Sequence, residues 1–308
     1  MRDPLDISHE IGTALSRGEP VVALESSLIA HGLPRGLNAR TAIEMEDEVR
    51  SAGAAPATIG IIEGKIRVGL SHEEIERLAG GEAAKAAPRD IPYILAGKMD
   101  AGTTVSATVR IAFLAGISVV ATGGIGGVHR GFAETNDISA DLWELARTPV
   151  VVVCSGVKAV LDVPATLEWL ETHGVPVYGY QTDEFPAFYS RSSGLRVPKL
   201  ESPKDVEEVL RLAVGSPGVQ SAAVIAAPVP DESAVDVSSE ISQAAREAAE
   251  EGIRGKELTP YLLGRVGELT SGRSVEANVA LLKNNARVAG EIACALSEAS
   301  GRRVGFLS

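Results

Sequence analysis

The stretch Ser118–Asp162 reads SVVATGGIGGVHRGFAETNDISADLWELARTPVVVVCSGVKAVLD. Two short apolar runs, SVVAT and PVVVVC, each end in a glycine-bearing polar turn. Branched apolar runs bounded by turn residues read as strands buried on both faces, the pattern of a parallel sheet covered by helices. The first turn carries Gly123, Gly124, Gly126, Gly127, His129 and Arg130. The second carries Ser155, Gly156 and Lys158, where a helix is expected to begin. Ligands of such sheets sit at the carboxyl ends of the strands. The stretch thus gathers a glycine loop, two basic side chains, an acidic helix start and one lysine at a single sheet edge. That suits an anionic, phosphorylated small molecule attacked by an amine.

Outward from this stretch, strands and helices alternate. Val21–Leu24, Thr58–Ile62, Val175–Tyr178 and Ala222–Ala227 read as further strands, beside Ser118–Ala121 and Val150–Cys154. Helical periodicity covers Asn38–Ala52, Ser71–Ala79, Thr103–Ala115, Asp137–Ala146, Lys158–Thr172 and Pro203–Val214. It continues through Asp236–Glu251, Thr259–Thr270 and Ser274–Glu298. The expected class is α/β, an α/β/α sandwich with a largely parallel or mixed central sheet and a helical C-terminal part. No linker interrupts the chain, so a single domain over residues 1–308 is expected. Phe185–Pro203 is the most irregular segment and reads as either a lid or a surface connection.

The 308 residues are 45% hydrophobic but only 4% aromatic, so Ala, Val, Ile and Leu must build the core. A net charge of −12 argues against nucleic acid as a partner and makes any basic site local. The acidic start MRDPLDISHE is no signal peptide. No apolar run approaches the roughly 20 residues that span a bilayer. Two cysteines, Cys154 and Cys294, form no CxxC pair, so neither a disulfide framework nor a cysteine zinc site is expected. The expected compartment is the cytoplasm.

Each candidate residue has a plainer reading beside the functional one. Lys158 in the first turn of a helix would have its pKa depressed by the helix field and by burial, favouring a nucleophilic neutral amine. It could equally snorkel to solvent. The glycine turn reads as a backbone phosphate cradle or as a purely conformational turn, and it matches neither the P-loop nor the dinucleotide fingerprint. Asp137 reads as a helix N-cap or as a ligand for Mg²⁺ or Mn²⁺, with Asp141 one turn on. Glu25, beside His31 and Arg35 at the end of a strand, reads as a general acid or as a capping carboxylate. Asn278 and Asn285 share a face with Leu281 and Leu282, so their amides must find partners in the core or on a ligand.

ATGGIGGVHRG, DISADL and CSGVKAVLD closely resemble the pseudouridine-5′-phosphate glycosidase family, which includes the indigoidine-cluster A proteins. ALESSLIAHGLP around Glu25, AGTTVSATV (Ala101–Val109) and DEFPAFYSRSSG (Asp183–Gly194) are similar to it too. So are TPYLLGRVGELT (Thr259–Thr270) and SVEANVALLKNNA (Ser274–Ala286). The resemblance implies reversible cleavage of the C–C glycosidic bond of pseudouridine 5′-phosphate, giving uracil and ribose 5-phosphate. It implies Lys158 as the Schiff-base lysine, Glu25 as proton donor, and Asp137 as holder of one mostly water-coordinated Mn²⁺ per subunit. Lys85, Val105, Ser139, Ala140, Asp141 and Asn278 fall on substrate-binding positions, and His129 is assigned to the substrate's anionic end. A homotrimer is implied, and no fused sugar-kinase domain is expected. AGKMDAGTTV departs from the family pattern at Asp100, which leaves Lys85 or Lys98 as the lysine that meets phosphate, Lys85 being preferred. The alternative activity is a Schiff-base aldolase acting on a sugar phosphate, which needs the lysine but no base pocket. A non-catalytic nucleotide-binding protein is disfavoured by Glu25, Asp137 and Lys158 occurring together.

Overall fold

The structure is a computed structural model that describes residues 5–214, 220–253 and 258–304. Its strands in chain order are β1 (Leu5–Ile7), β2 (Val21–Leu24), β3 (Ala55–Ile62), β4 (Lys65–Val68), β5 (Ala84–Ala86) and β6 (Ala101–Thr103). They continue as β7 (Val119–Ala121), β8 (Val151–Cys154), β9 (Val177–Tyr180), β10 (Lys199–Leu200) and β11 (Ala223–Ala226). The helices begin with α1 (His9–Ser16), α2 (Leu37–Ser51), α3 (His72–Gly80), α4 (Ile91–Ala96), α5 (Val105–Leu114) and α6 (Phe132–Thr135). There follow α7 (Ala140–Leu145), α8 (Val163–Thr172), α9 (Pro203–Val214), α10 (Ser238–Glu250), α11 (Leu258–Leu269) and α12 (Arg273–Val304).

The strands form one sheet in the order β1-β4-β3-β2-β7-β8-β11-β9-β10, with β6 paired to β3 and β5 to β6. All pairings are parallel except β3 with β4 and β3 with β6, so the sheet is mixed. Its centre is β2, β7 and β8, whose residues are all buried. Register runs Leu24 beside Ala121 and Ala121 beside Val153, so the three strands end level with one another. After β2 the chain turns to β3 on one side, and it later returns to β7 on the other. This reversal opens a crevice at the carboxyl ends of β2 and β7.

Helices α2 and α12 pack on each other, and α12 also lies along β2, β7 and β8. Helix α5 covers β2, β3 and β7 and carries α7 against it. The sandwich and the helical C-terminal part agree with the sequence reading. The five strands missed by that reading, β1, β4, β5, β6 and β10, have two to four residues each, too few to show a period.

Two expected helix starts are wrong. The helix expected from Lys158 begins at Val163, capped by Asp162, which accepts from the Ala165 N–H at 3.0 Å. The helix expected from Asp137 begins at Ala140, and its N-cap is Ser139, not Asp137. In both cases a better cap lies a few residues downstream, and Gly156 with φ +85° breaks the chain before Lys158.

Phe185–Pro203 is anchored at its start and then runs along the surface, where Ser192, Gly194, Arg196 and Pro198 are exposed. Phe185, Phe188 and Tyr189 are buried, and the Phe188 N–H donates to the Ser155 carbonyl at 3.0 Å. One amide fastens α12 to the strand ends. Asn285 donates to the carbonyls of Thr122 (2.9 Å) and Gly123 (3.3 Å) and hydrogen-bonds the Ser155 hydroxyl. Asn285→Ala orphans the Thr122 carbonyl and the Ser155 hydroxyl, while the Gly123 carbonyl keeps the Ser155 N–H, so urea unfolding should show a loss of about 2–4 kcal/mol. A loss under about 1 kcal/mol would show the tie to be dispensable.

Candidate active site

Glu25 follows β2 directly and is buried. The Thr122 hydroxyl donates to its Oε1 at 2.6 Å and the Ser27 hydroxyl to its Oε2 at 3.1 Å. Burial pushes this carboxyl above its usual 4.5. The Lys158 ammonium and the two hydroxyls pull it back, while Asp141 adds to the rise. Glu25 is therefore a buried carboxyl that holds its proton more tightly than a free one, because burial outweighs the groups that favour its charged form. Its neighbour Ser26 bonds the Ile59 carbonyl at 2.5 Å and accepts from the Thr103 N–H at 2.9 Å, tying the turn after β2 to β3 and β6.

Four N–H groups of the glycine turn after β7 are spent within the protein. The N–H groups of Ile125, Gly126, Val128 and His129 already donate to Gly156, Asp141, Thr166 and Asp137. The glycines serve close approach instead. A Cβ on Gly124 would lie 2.6 Å from the Phe188 ring, and one on Gly123 would press on Leu282 and Leu281. Close packing of this kind is what the conformational reading of the turn expects at Gly123 and Gly124.

Asp141 is buried, and both its oxygens accept backbone N–H groups, from Ser106 and Gly126, each at 2.9 Å. It locks the start of α5 to the glycine turn. Thr104 caps α5 through the Ala107 N–H, and Ser139 caps α7 through the Asp141 N–H. The first residues of these helices, Val105 and Ala140, keep N–H groups with no intrahelical acceptor. That gives two apolar residues a polar role through their backbone.

These elements surround a cleft of two connected chambers. The inner one is lined by Glu25, His31, Asn278 and the apolar Leu28, Phe188 and Leu282. The outer one is lined by His129, Asp137, Ser139, Ala140, Asp141 and Arg89. Ser27, Lys85, Lys158 and Thr259 line both. Every proposed side-chain position thus meets in one cleft, and Val105 lies beside it between Thr104 and Ser106, which line the outer chamber. Arg35 and Arg130 are exposed and line neither chamber. Asp100 pairs with Arg77 at 2.6 Å, Lys98 is outside the cleft, and Lys85 is in it.

His129 lies 3.8 Å from Asp137, and burial lowers its pKa against the opposing pull of Asp137. Among the described residues no three His, Cys, Asp or Glu cluster as a closed metal site. Residues that the sequence reading missed are Thr122, which holds Glu25, and Phe188, which walls the inner chamber. His31 was noticed only as a neighbour of Glu25. Asn285 proves to be the core amide and Asn278 the one facing the cleft, where it makes no hydrogen bond to described residues.

The model of the indigoidine synthase A-like proteins matches residues 10–295. The chain belongs to that family. It is 52% identical over 299 residues to the pseudouridine-5′-phosphate glycosidase of Caldanaerobacter subterraneus subsp. tengcongensis, covering 96% of this chain and 97% of that protein. It is 50% identical over 300 residues to the protein of the same name from Clostridium botulinum, again covering 96% and 97%. Among solved structures, the prealnumycin C-glycosynthase in complex with ribulose 5-phosphate superposes with a TM-score of 0.89 at 41% identity, covering 97% of this chain and 99% of that one. An indigoidine synthase A-like protein of Thermotoga maritima superposes at 0.87 and 39%, covering 95% and 96%.

The family member's buried acid has a measurable signature. With its folded pKa above 4.5, Glu25 keeps its proton where the unfolded chain has lost it, so its contribution to stability falls as pH rises through that window. Glu25→Gln does not titrate. Its Tm should therefore climb relative to wild type between about pH 4 and about pH 8. An offset that stays constant with pH would refute the raised value.

Proposed function

We propose that this protein is a pseudouridine-5′-phosphate glycosidase, cleaving the C–C glycosidic bond of that nucleotide reversibly to uracil and ribose 5-phosphate. The observation that carries the reading is one chamber lined by the buried Glu25, whose pKa burial raises, and by the Lys158 amine. The names of its relatives at about half identity support the same substrate, as does the C-glycosynthase neighbour holding a pentulose phosphate.

In this reading Lys158 Nζ bonds to C1′ of the ribose as the C1′–O4′ bond opens, and O4′ takes up the proton released from Nζ through water. The nitrogen lone pair then forms a C=N bond while the C1′–C5 bond breaks. The electron pair left on uracil C5 takes the proton of Glu25. Water hydrolyses the imine, freeing Lys158 and ribose 5-phosphate. A carbon-bound base is a poor leaving group for the two-carboxylate route of ordinary glycosidases, and the imine supplies an electron sink instead. Asp141, with both oxygens on backbone N–H groups, positions α5 and the glycine turn and is assigned no proton transfer.

The base occupies the inner chamber beside Asn278, and the phosphate occupies the outer one. There Lys85, His129, the Ser139 hydroxyl and the backbone N–H groups of Val105 and Ala140 receive it, with the α5 amino end adding a favourable field. Asp137, one-third exposed in the outer chamber with no second carboxylate paired to it, fits a hard divalent cation that keeps most of its waters, as Mn²⁺ does. Bound there, the cation would offset phosphate charge. A homotrimer completes the proposal. Exposed Phe113, Leu114 and Trp143 on the packed helices α5 and α7 supply an apolar surface for self-association.

Incubated with uracil, ribose 5-phosphate and Mn²⁺, the protein should form pseudouridine 5′-phosphate. Intact, folded protein that forms none would refute the activity, and a sugar-phosphate aldolase would then be the reading to test. Borohydride with ribose 5-phosphate should add one sugar mass at Lys158, and Lys158→Ala should abolish it. Labelling that survives the substitution would move the nucleophile to another lysine.

A further inference from the structure

Phe188 is held in the left-handed region at φ +64°. A bulky residue there is a genuine outlier, and such strain persists only where the surroundings over-determine it, most often at a functional site. What surrounds Phe188 is the pair of turns that frame Lys158. Its N–H donates to the Ser155 carbonyl at 3.0 Å, and its neighbour Ala187 forms an antiparallel bridge with Gly156. Gly156 has no room for a side chain, because a Cβ there would collide with the Pro186 carbonyl oxygen. The Phe188 ring itself lies over Gly124 of the glycine turn, within 2.6 Å of where a Cβ would be. Its outlook is fixed by the Tyr189 ring, which meets it at 76° with centroids 4.7 Å apart.

The two turns are also laced to each other. The Ile125 N–H donates to the Gly156 carbonyl and the Lys158 N–H to the Ile125 carbonyl, each at 3.0 Å. The backbone under Lys158 is thus held by the glycine turn on one side and by residues 186–188 on the other, and Phe188 touches both. Lys158 lines both chambers, and its amine makes no hydrogen bond or ion pair to described residues. No partner at the tip steers the amine, so its aim depends on the backbone beneath it. We propose that Phe188 is a positioning residue for Lys158, bracing the Ser155–Lys158 turn against the glycine turn so that the amine meets the sugar carbon. The inference rests on Lys158 being the nucleophile.

The test separates this role from the ring's place in the wall of the inner chamber. Phe188→Gly accepts φ +64° without strain and removes the brace, whereas Phe188→Leu keeps apolar bulk. Each full-length variant is checked for folding by circular dichroism at the assay temperature. Borohydride trapping of ribose 5-phosphate at Lys158 is then timed with no uracil present, so a lost base contact cannot slow it. In Phe188→Gly the trapping rate should fall roughly ten- to hundredfold, because a displacement of about 1 Å at a reacting atom costs that much. The kcat for C-glycoside formation should fall in step, with the KM for ribose 5-phosphate within about threefold of wild type. Phe188→Leu should lie between the two, and it decides the matter alone if the glycine variant does not fold. Trapping at the wild-type rate in folded variant protein overturns the proposal, and a rise confined to the uracil KM would leave Phe188 as a wall only. A wild-type protein that takes no sugar label at Lys158 refutes the nucleophile instead.

Discussion

The site depends on one buried amide. Asn285 of α12 donates to the carbonyls where β7 ends and shares a hydrogen bond with Ser155 just after β8. The Gly123 carbonyl also accepts from the Ser155 N–H, but the Thr122 carbonyl and the Ser155 hydroxyl have left the ladder and in a dry interior must find another partner. By meeting them from the helix, Asn285 lets both strands stop level and turn sharply away. The turns then diverge, one toward the glycines and Asp141, the other toward Lys158. The same helix carries Asn278 into the cleft, two turns earlier on the same face. The rigid tie and the ligand-facing amide are thus set in register by α12 alone.

The contrast between satisfied and unsatisfied polar groups draws the outline of the site. The N–H groups of Ile125, Gly126, Val128 and His129, with Asp141, Ser26 and Asn285, make their hydrogen bonds within the protein. They fix geometry and have little capacity left for a ligand. Asn278, on the inner chamber, makes no hydrogen bond to described residues. A folded chain tolerates an orphan of this kind only where something else completes it. In the proposed function the inner chamber takes the planar base and the outer one the phosphate.

The central strands were legible because Val21–Leu24, Ser118–Ala121 and Val150–Cys154 are unbroken branched runs that only a doubly covered sheet would bury. The topology was not, because nothing in those runs records that β2 neighbours both β3 and β7. Lys158 and Glu25 stood out by position at strand ends. The reason given for Lys158 failed, since Gly156 and the Asp162 cap delay the helix beyond it. The glycine turn misled for a related cause. Glycine for donating N–H groups and glycine for close packing look alike in sequence, and only the Phe188 ring seated on Gly124 separates them. Thr122 was invisible as a site residue because a threonine after a strand has no signature until Glu25 is seen at 2.6 Å.

Glu25 and Asp141 illustrate how two carboxyls in one cleft acquire different work. The partners of Glu25 are the hydroxyls of Thr122 and Ser27. A hydroxyl rotates and can donate to a carboxylate or accept from a carboxylic acid, so these partners tolerate either protonation state. The partners of Asp141 are the N–H groups of Ser106 and Gly126, which can only donate. Protonating Asp141 would turn one acceptor oxygen against a fixed donor and loosen α5 from the glycine turn. A group that must gain and lose a proton each cycle needs adaptable partners, whereas a group that holds two elements together needs invariant ones. Glu25 meets the first requirement and Asp141 the second, and the difference lies in the partners, not in the carboxyls.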